Sequence, residues 1–451
     1  MRCRWRRAGW LAGAALAAGT LAQASAPGPA RPNVLLLTVD TLRADRLSSY
    51  GYSRATSPNL DRLIAAGAKF SQARTVEPLT GPAVCSMMTS RYPHEHGASR
   101  NGLRMRPGLD SLPVLLRASG YRTAAFVANW TLKDKVTGLG EHFDEYEMVL
   151  KRKRWMGLFS SEATAEDVTQ VAIDWLEAHV ESDDSRPFLL WVHYVEPHAP
   201  YRSQERYRRA LGLPGQGELS PSDRYDTEVA EADHASGVLL ARLSALALDS
   251  RTLIVFTSDH GESLGEHNYW GHGRQLHEPG LRIPLSVTWP DRVRPQSIDA
   301  PALNLDLAPT IAGLLGLERP AGFAGYDWSG TLLGSDVPPA DRLTEHQAHK
   351  GVVLSGHDSD LARRSGLLEI AVIQRGLKEI YRLKNGRYRM FDLNADPLEL
   401  AAVAAGAGGP SERLQQWERV VESGLEGLDA DVPSPLDEES VERLRALGYT
   451  D

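Results

Sequence analysis

PNVLLLTVD, residues 32–40, is a continuous apolar run of strand length that ends in an acid. RTLIVFTSDHGES (251–263) has the same form, an apolar run closing on Asp259-His260. Such runs predict strands buried on both faces, hence a parallel sheet covered by helices. Further strand signals lie at YRTAAFVAN (121–129), RPFLLWVHYV (186–195) and IPLSVTWP (283–290). Between them the 3.6-residue spacing predicts helices over 57–70, 109–120, 163–182 and 226–248. Strand and helix alternate through the first two thirds of the chain. That pattern predicts an α/β fold with a large, mostly parallel central sheet flanked by helices.

Towards the C-terminus the pattern changes. GLKEIYRLKNGRYRMFDL (376–393) alternates like a β-hairpin, with Asn385-Gly386 as its turn. AVAAGAGGPSERLQ (402–415) is small and polar and reads as a loop, and LQQWERVVESGLE and EESVERLRALG carry helical spacing. A smaller C-terminal α+β domain is expected over 346–451, behind a catalytic α/β domain over 31–345.

At the other end, Arg2, Arg4, Arg6 and Arg7 precede the apolar run GWLAGAALAAGTLA and the small residues AQASA. This is the form of a secretory signal peptide, expected over 1–24. Its apolar run is shorter than the ~20 residues a bilayer span needs. Removing its four arginines takes the net charge from -8 to -12. The expected product is exported, periplasmic or extracellular, with no transmembrane anchor. An acidic chain without a basic block excludes nucleic acid as the main partner. Cys85 would remain alone after cleavage, so no intrachain disulfide forms.

Open α/β sheets bind ligands at the carboxyl ends of their strands. Asp40 and the Asp259-His260 pair both stand there, directly after buried runs. Two acids and an imidazole make a plausible set for a divalent cation, although a lone acid after a strand is more often a cap or turn residue. Thr80 precedes a helix-forming stretch and is either its N-cap or a nucleophile at a helix N-terminus, where backbone N–H groups hold an anionic oxygen. A threonine hydroxyl attacks only when a cation lowers its pKa. Histidines recur near the strand ends, among them His193 and His198 in WVHYVEPHAPY and His272 in DHGESLGEHNYWGHG. Grouped in this way they suit oxyanion binding and protonation of a leaving group.

Taken in order, PNVLLLTVDTLRAD, YGYSRATSPNLDRLIAAGAKF, TSRYPHEHG, RPFLLWVHYVEPHAPY, FTSDHGESLGEH, GLRIP and YRMFDLNADPLEL resemble the sulfatase family of the alkaline phosphatase superfamily. The resemblance implies one divalent metal, Ca, Mg, Mn or Zn, beside the nucleophile. Most of the family carry C-x-P-S-R or S-x-P-S-R, whose first residue is oxidised to formylglycine. That residue lies nine positions before the threonine of a T-G-R-Y-P-like stretch. Here the matching threonine is Thr89, which puts Thr80 at the nucleophile position and Pro82 at the motif's proline. Cys85 does not fit, and Val84 stands at the motif's arginine.

By position the resemblance carries the metal-binding role to Asp40, Thr80, Asp259 and His260. It carries the catalytic role to Thr80, His198 and His272, with Asn101 and Arg274 as further substrate contacts. Asn129 lies near the usual substrate lysine, and Asp40-Thr41 replaces two adjacent acids.

A threonine cannot become formylglycine, because its β-carbon bears a methyl group, so no formylglycine is expected. Family branches with threonine here resemble phosphoryl-group transferases and phosphodiesterases. The leading expectation is therefore a metal-dependent hydrolase or transferase cleaving phosphodiester or phosphonate-type esters through Thr80. The alternative is a sulfuric ester hydrolase acting on a sulfated glycan or aryl sulfate. A second alternative is an inactive sulfatase-fold binding protein. The expected partner is an anionic ester on a glycan, a lipid headgroup or a small molecule. KRKRWMGLFSSE (151–162), basic and aromatic, is one loop that would meet it.

Overall fold

The computed structural model describes residues 31–152, 160–353, 366–403, 409–426 and 428. The expected signal peptide, most of the 151–162 loop, part of the 402–415 segment and the EESVERLRALG helix lie outside them. Eight strands build the central sheet: β1 (Asn33–Val39), β2 (Ala68–Arg74), β3 (Arg122–Val127), β4 (Glu145–Met148), β5 (Phe188–Tyr194), β6 (Thr252–Ser258), β7 (Leu285–Thr288) and β8 (Gln296–Leu303). Their order is β8-β2-β7-β6-β1-β5-β3-β4. All neighbours are parallel except β7, which runs antiparallel to both β2 and β6.

The apolar run of β1 sits mid-sheet because both its faces are covered. Val34 and Leu36 belong to one apolar cluster and Leu35, Leu37 and Val39 to the other, all with no exposure. Helices α1 (Pro58–Ala65), α4 (Ala165–Glu181) and α5 (Pro221–Ala245) cover the second face. Helices α2 (Thr80–Thr89), α3 (Leu112–Ala118) and α6 (Leu307–Leu314) cover the first. Leu36 is fully buried in this core, so Leu36→Ala is expected to lower stability by roughly 2–5 kcal/mol, read as a shifted midpoint in denaturant unfolding.

Two sheet features depart from the sequence reading. The helix expected over 57–70 stops at Ala65, and Ala68–Arg74 is a strand instead. Gly67 makes the break: a Cβ there would stand 2.3 Å from the Val287 carbonyl oxygen, so the chain turns flush against β7. Pairing with β7 and β8 then overrides the helical spacing. The second is β8, which no strand signal marked. Pro301 sits within it, where the register slips between Ile298 and Pro301, a position only an edge strand tolerates.

A second sheet, antiparallel and four-stranded, follows in the order β9 (Thr344–His349), β10 (Leu367–Gln374), β11 (Leu377–Arg382), β12 (Arg387–Asp392). The β11–β12 hairpin is present as expected. Its connection spans residues 383–386 rather than two residues, with Gly386 at φ 63°. Helix α7 (Glu412–Glu426) begins inside the stretch read as a loop and packs Leu414, Trp417, Val421 and Leu425 on this sheet.

Strand β9 runs against the segment leading into α2. Gln347 N donates to Val76 O (3.0 Å), and the His349 imidazole and backbone N–H both meet the buried Glu77 carboxylate (2.9 and 2.8 Å). Both sheets lie in one compact unit, Pro32–Asp451.

Candidate active site

Two adjacent parallel strands, β1 and β6, end side by side and deliver Asp40 and Asp259-His260 to one point. All three residues have no exposure. Their ligand atoms lie within 4.8 Å of one another. Thr41 turns the chain out of β1 with φ 54°, a left-handed conformation rare for a β-branched residue. Three bonds hold that turn: Thr41 N donates to Asp259 Oδ1 (3.2 Å), Tyr225 Oη donates to Thr41 O (2.7 Å), and Leu42 N donates to Ser258 Oγ (3.0 Å).

His260 Nδ1–H donates to the Gly261 carbonyl (2.8 Å), which can only accept. Its Nε2 lone pair therefore faces the cluster: Asp259 Oδ2 at 3.4 Å, Asp40 Oδ1 at 3.8 Å and Thr80 Oγ1 at 3.2 Å. Burial pushes the imidazole below its usual range, which keeps that lone pair available. Asp40 Oδ1 and Asp259 Oδ2 are buried oxygens without a hydrogen-bond partner. Burial and the neighbouring Asp40 charge push Asp259 up to about 7. Burial would raise Asp40 too, but the nearby His193 imidazole and the charges of His198 and His260 hold it below the usual carboxylate range.

A cage of two orphaned carboxylate oxygens and one imidazole lone pair fits a divalent cation.

Thr80 is fully buried and is the first residue of α2, with Leu79 as the cap; it is not the capping threonine. Its O–H donates to His260 Nε2 instead. Asn101 does the capping, its Oδ1 accepting from Gly81 N at 2.8 Å. Gly81 is required for that approach, since a Cβ would stand 2.7 Å from the same oxygen. Asn101 Nδ2 is buried without a partner. Val84 faces the apolar cluster with no exposure, so the motif's arginine position contributes no charge. Cys85 lies in the same core, where burial pushes its thiol well up, far from a reactive thiolate.

Asn129 Nδ2 donates to Asp40 Oδ2, so it props a carboxylate where a cation was expected. His272 joins the cluster, its ring 4.5 Å from His260 and 5.1 Å from His198. His198 Nδ1–H donates to Ala199 O at 2.6 Å. Arg274 is two residues further on, with its charge beside the Tyr269 phenol.

Sequence reasoning missed Glu262, a fully buried acid whose Oε1 lies 3.1 Å from His272 Nδ1. Burial would raise Glu262, but the charge and hydrogen bond of His272 hold it below the usual range. Its place two residues after His260 was the available signal. His193 was grouped with the other histidines without a role of its own. Its Nδ1 meets Thr38 Oγ1 at 2.8 Å and its Nε2 stands 3.6 Å from Asp40.

The family model for Sulfatase matches residues 32–317, from the start of β1 to just past α6. The ulvan-active sulfatase of Formosa agariphila is 26% identical over 70% of this chain and 67% of its own. The N-acetylglucosamine-6-O-sulfatase of Bacteroides thetaiotaomicron is 23% identical over 86% of this chain and 85% of its own. Among solved structures, the phosphonate monoester hydrolase of Agrobacterium radiobacter superposes with a TM-score of 0.69 at 20% identity, covering 88% of this chain and 96% of that one. A protein solved with its substrate D-glucosamine-2-N,6-O-disulfate gives a TM-score of 0.70 at 20% identity, covering 89% and 99%. The chain belongs to the sulfatase family and is an ester hydrolase of that family.

Proposed function

We propose that the chain hydrolyses a monoanionic tetrahedral ester, a sulfuric ester borne on a glycan, with Thr80 as nucleophile. The observation that carries the chemistry is the 3.2 Å contact of Thr80 Oγ1 with His260 Nε2 at a helix N-terminus, beside two orphaned carboxylate oxygens. The choice of sulfur follows the relatives, which are mostly named as sulfatases, several of them for sugar substrates. The phosphodiester or phosphonate reading stands second. It is favoured by Thr80 itself, whose methyl group forbids the formylglycine route, and by the fold of a phosphonate monoester hydrolase. Nothing favours the inactive binding protein, since the acid–imidazole–hydroxyl set is intact.

In this reading a divalent cation held by Asp40, Asp259 and His260 supplies Lewis-acid polarisation and a lowered hydroxyl pKa. Thr80 Oγ1, its acidity raised, releases its proton to water and bonds to sulfur, because the His260 Nε2 lone pair it meets would be taken up by the cation. The S–O bond to the alcohol breaks, and the departing oxygen takes a proton from His198 or His272. Glu262 holds His272 Nδ1–H, so the Nε2 atom is the one left to serve substrate. The α2 N-terminus and the spare N–H of Asn101 hold a non-bridging oxygen. Water then attacks the sulfur of the Thr80 ester, releasing hydrogen sulfate and restoring the hydroxyl.

The test is a side-by-side assay of p-nitrophenyl sulfate, bis-p-nitrophenyl phosphate and a phenylphosphonate ester, with metals returned singly to chelated protein. Turnover selective for the sulfate is expected. Selective phosphodiester or phosphonate turnover would replace sulfur by phosphorus in the same mechanism. Export through the N-terminal leader belongs to the proposal, and a mature N-terminus near Ser25 in the extracytoplasmic fraction would bear on it. No helix among the described residues is long and apolar enough to cross a membrane.

A further inference from the structure

Between the C-terminal end of β5 and helix α5 lies a cavity of ≈ 40 Å³, and His198 forms part of its wall. Glu196, Glu228, Arg202 and Thr164 line it as well. Glu228 projects from α5 and is 3% exposed. Its Oε1 accepts the Arg202 backbone N–H, while its Oε2 is buried without a partner. A buried carboxylate oxygen with no donor is an exception that needs an explanation in a folded chain. Glu196, the second carboxylate at the cavity, already accepts from Ala165 N at the start of α4 (3.0 Å). Burial first, then the charges of Glu196 and Glu231, push the Glu228 carboxyl well above its usual range. Such a group returns to its ionised form when a cation arrives beside it. The Arg202 side chain is exposed, and its charge pulls the Glu228 carboxyl down more weakly than burial pushes it up, while Glu228 Oε2 stays without a hydrogen-bond partner.

We propose that this cavity is a subsite for a compact cationic group, an ammonium carried on the alcohol side of the ester, with Glu228 Oε2 as its acceptor. The size fits: about 10–15 Å³ of such accessible space holds one water, and an ammonium is about as large. The placement fits too, because His198 is shared between the cavity and the cluster around Thr80. The subsite rests on the reading of His198 as facing the leaving alcohol, and it narrows the substrate to amino-bearing alcohols such as amino sugars.

The test reads binding apart from turnover. Metal-loaded Thr80→Ala protein is titrated calorimetrically with 2-aminoethyl and 3-aminopropyl sulfate and with their hydroxyl counterparts. At least one amino ester is expected to bind about tenfold or more tightly than its hydroxyl partner. Glu228→Gln keeps the size and the acceptor for Arg202 N–H, and is expected to bring that ratio close to one. Glu196→Gln is expected to lower the ratio in part, and serves if Glu228→Gln does not fold. Equal affinities in the unsubstituted cavity, or a ratio unmoved by Glu228→Gln, would overturn the subsite and leave the cavity to water. Sulfate release by Thr80→Ala, measured separately, would sink the nucleophile instead and leave the affinity ratio to be judged by itself.

Discussion

Thr80→Ala is expected to lower kcat by about 10³-fold or more on whichever ester the wild-type protein turns over, with little change in KM. The substitution removes one buried hydroxyl and one methyl group from the first residue of α2. The helix itself does not depend on that hydroxyl, because Asn101 caps Gly81 N and Ala83 N bonds to Leu79 O. Folding is therefore expected to change by only about 1–2 kcal/mol, the ordinary worth of one hydrogen bond and one buried methyl group. A large loss of kcat at nearly constant melting temperature separates a nucleophile from a structural threonine. Thr80→Ser keeps the oxygen, and its kcat is expected within about tenfold of wild type.

Acid-quenched turnover provides a second readout. A peptide containing Thr80 should gain the mass of one sulfuryl or phosphoryl group in the wild-type protein and not in Thr80→Ala. If Thr80→Ala kept wild-type kcat, water would be the direct attacker. The 3.2 Å contact with His260 would then be a packing interaction.

The parts of this centre that were legible beforehand share one property: each sits where a strong local signal meets the edge of an element. Asp40 and Asp259 directly follow seven-residue apolar strands, and such strands announce their own ends. Thr80 was placed by its spacing from Thr89, since both lie on one ten-residue helix and keep their register. Glu262 and His193 were harder, because their role is a contact rather than a position. Glu262 matters only once the chain returns ten residues later with His272.

Long-range pairing also hid elements. Residues 68–70 keep helical spacing with Leu60, Leu63 and Ile64 until the Val287 carbonyl, over 200 residues away, forces Gly67 to turn. The Glu77–His349 pair that ties the second sheet to the segment leading into α2 joins residues 272 positions apart, and neither carries a local signal. Burial pushes Glu77 up and His349 down to about 3, so each would be poorly ionised alone; together they share a proton-bearing contact at 2.9 Å.

Asp259→Asn should separate what the metal-free cluster costs in stability from what it does in turnover. In chelated protein, burial and the Asp40 charge hold Asp259 at about 7. A carboxylate in the unfolded chain titrates near 4, so between about 4 and 7 the folded protein holds a proton that the unfolded chain has released. The sign follows: this group's share of stability is present below about 4 and is lost as pH rises through about 7. Asparagine has no such titration. Without metal, Asp259→Asn should therefore melt increasingly above wild type, by a few degrees, as pH goes from 5 to 8. Subtracting the two proteins removes buried histidines away from the cluster, His346 and His349, whose lowered values slope the other way in both.

Saturating metal should reverse the order. At about a hundredfold excess over Kd it adds roughly 2.7 kcal/mol to the protein that keeps its ligands. Asp259→Asn offers an amide in place of the unpaired Oδ2 and should gain much less. Activity in the same samples should fall at least about 100-fold, since disturbing even the partners of a metal ligand commonly costs 10–100-fold. Scanning calorimetry at both pH values, with and without Mg, Mn, Ca and Zn, carries the whole test. Equal stabilisation of both proteins by every cation would mean that Asp259 is not a ligand. The orphaned oxygens of Asp40 and Asp259 would then need another partner.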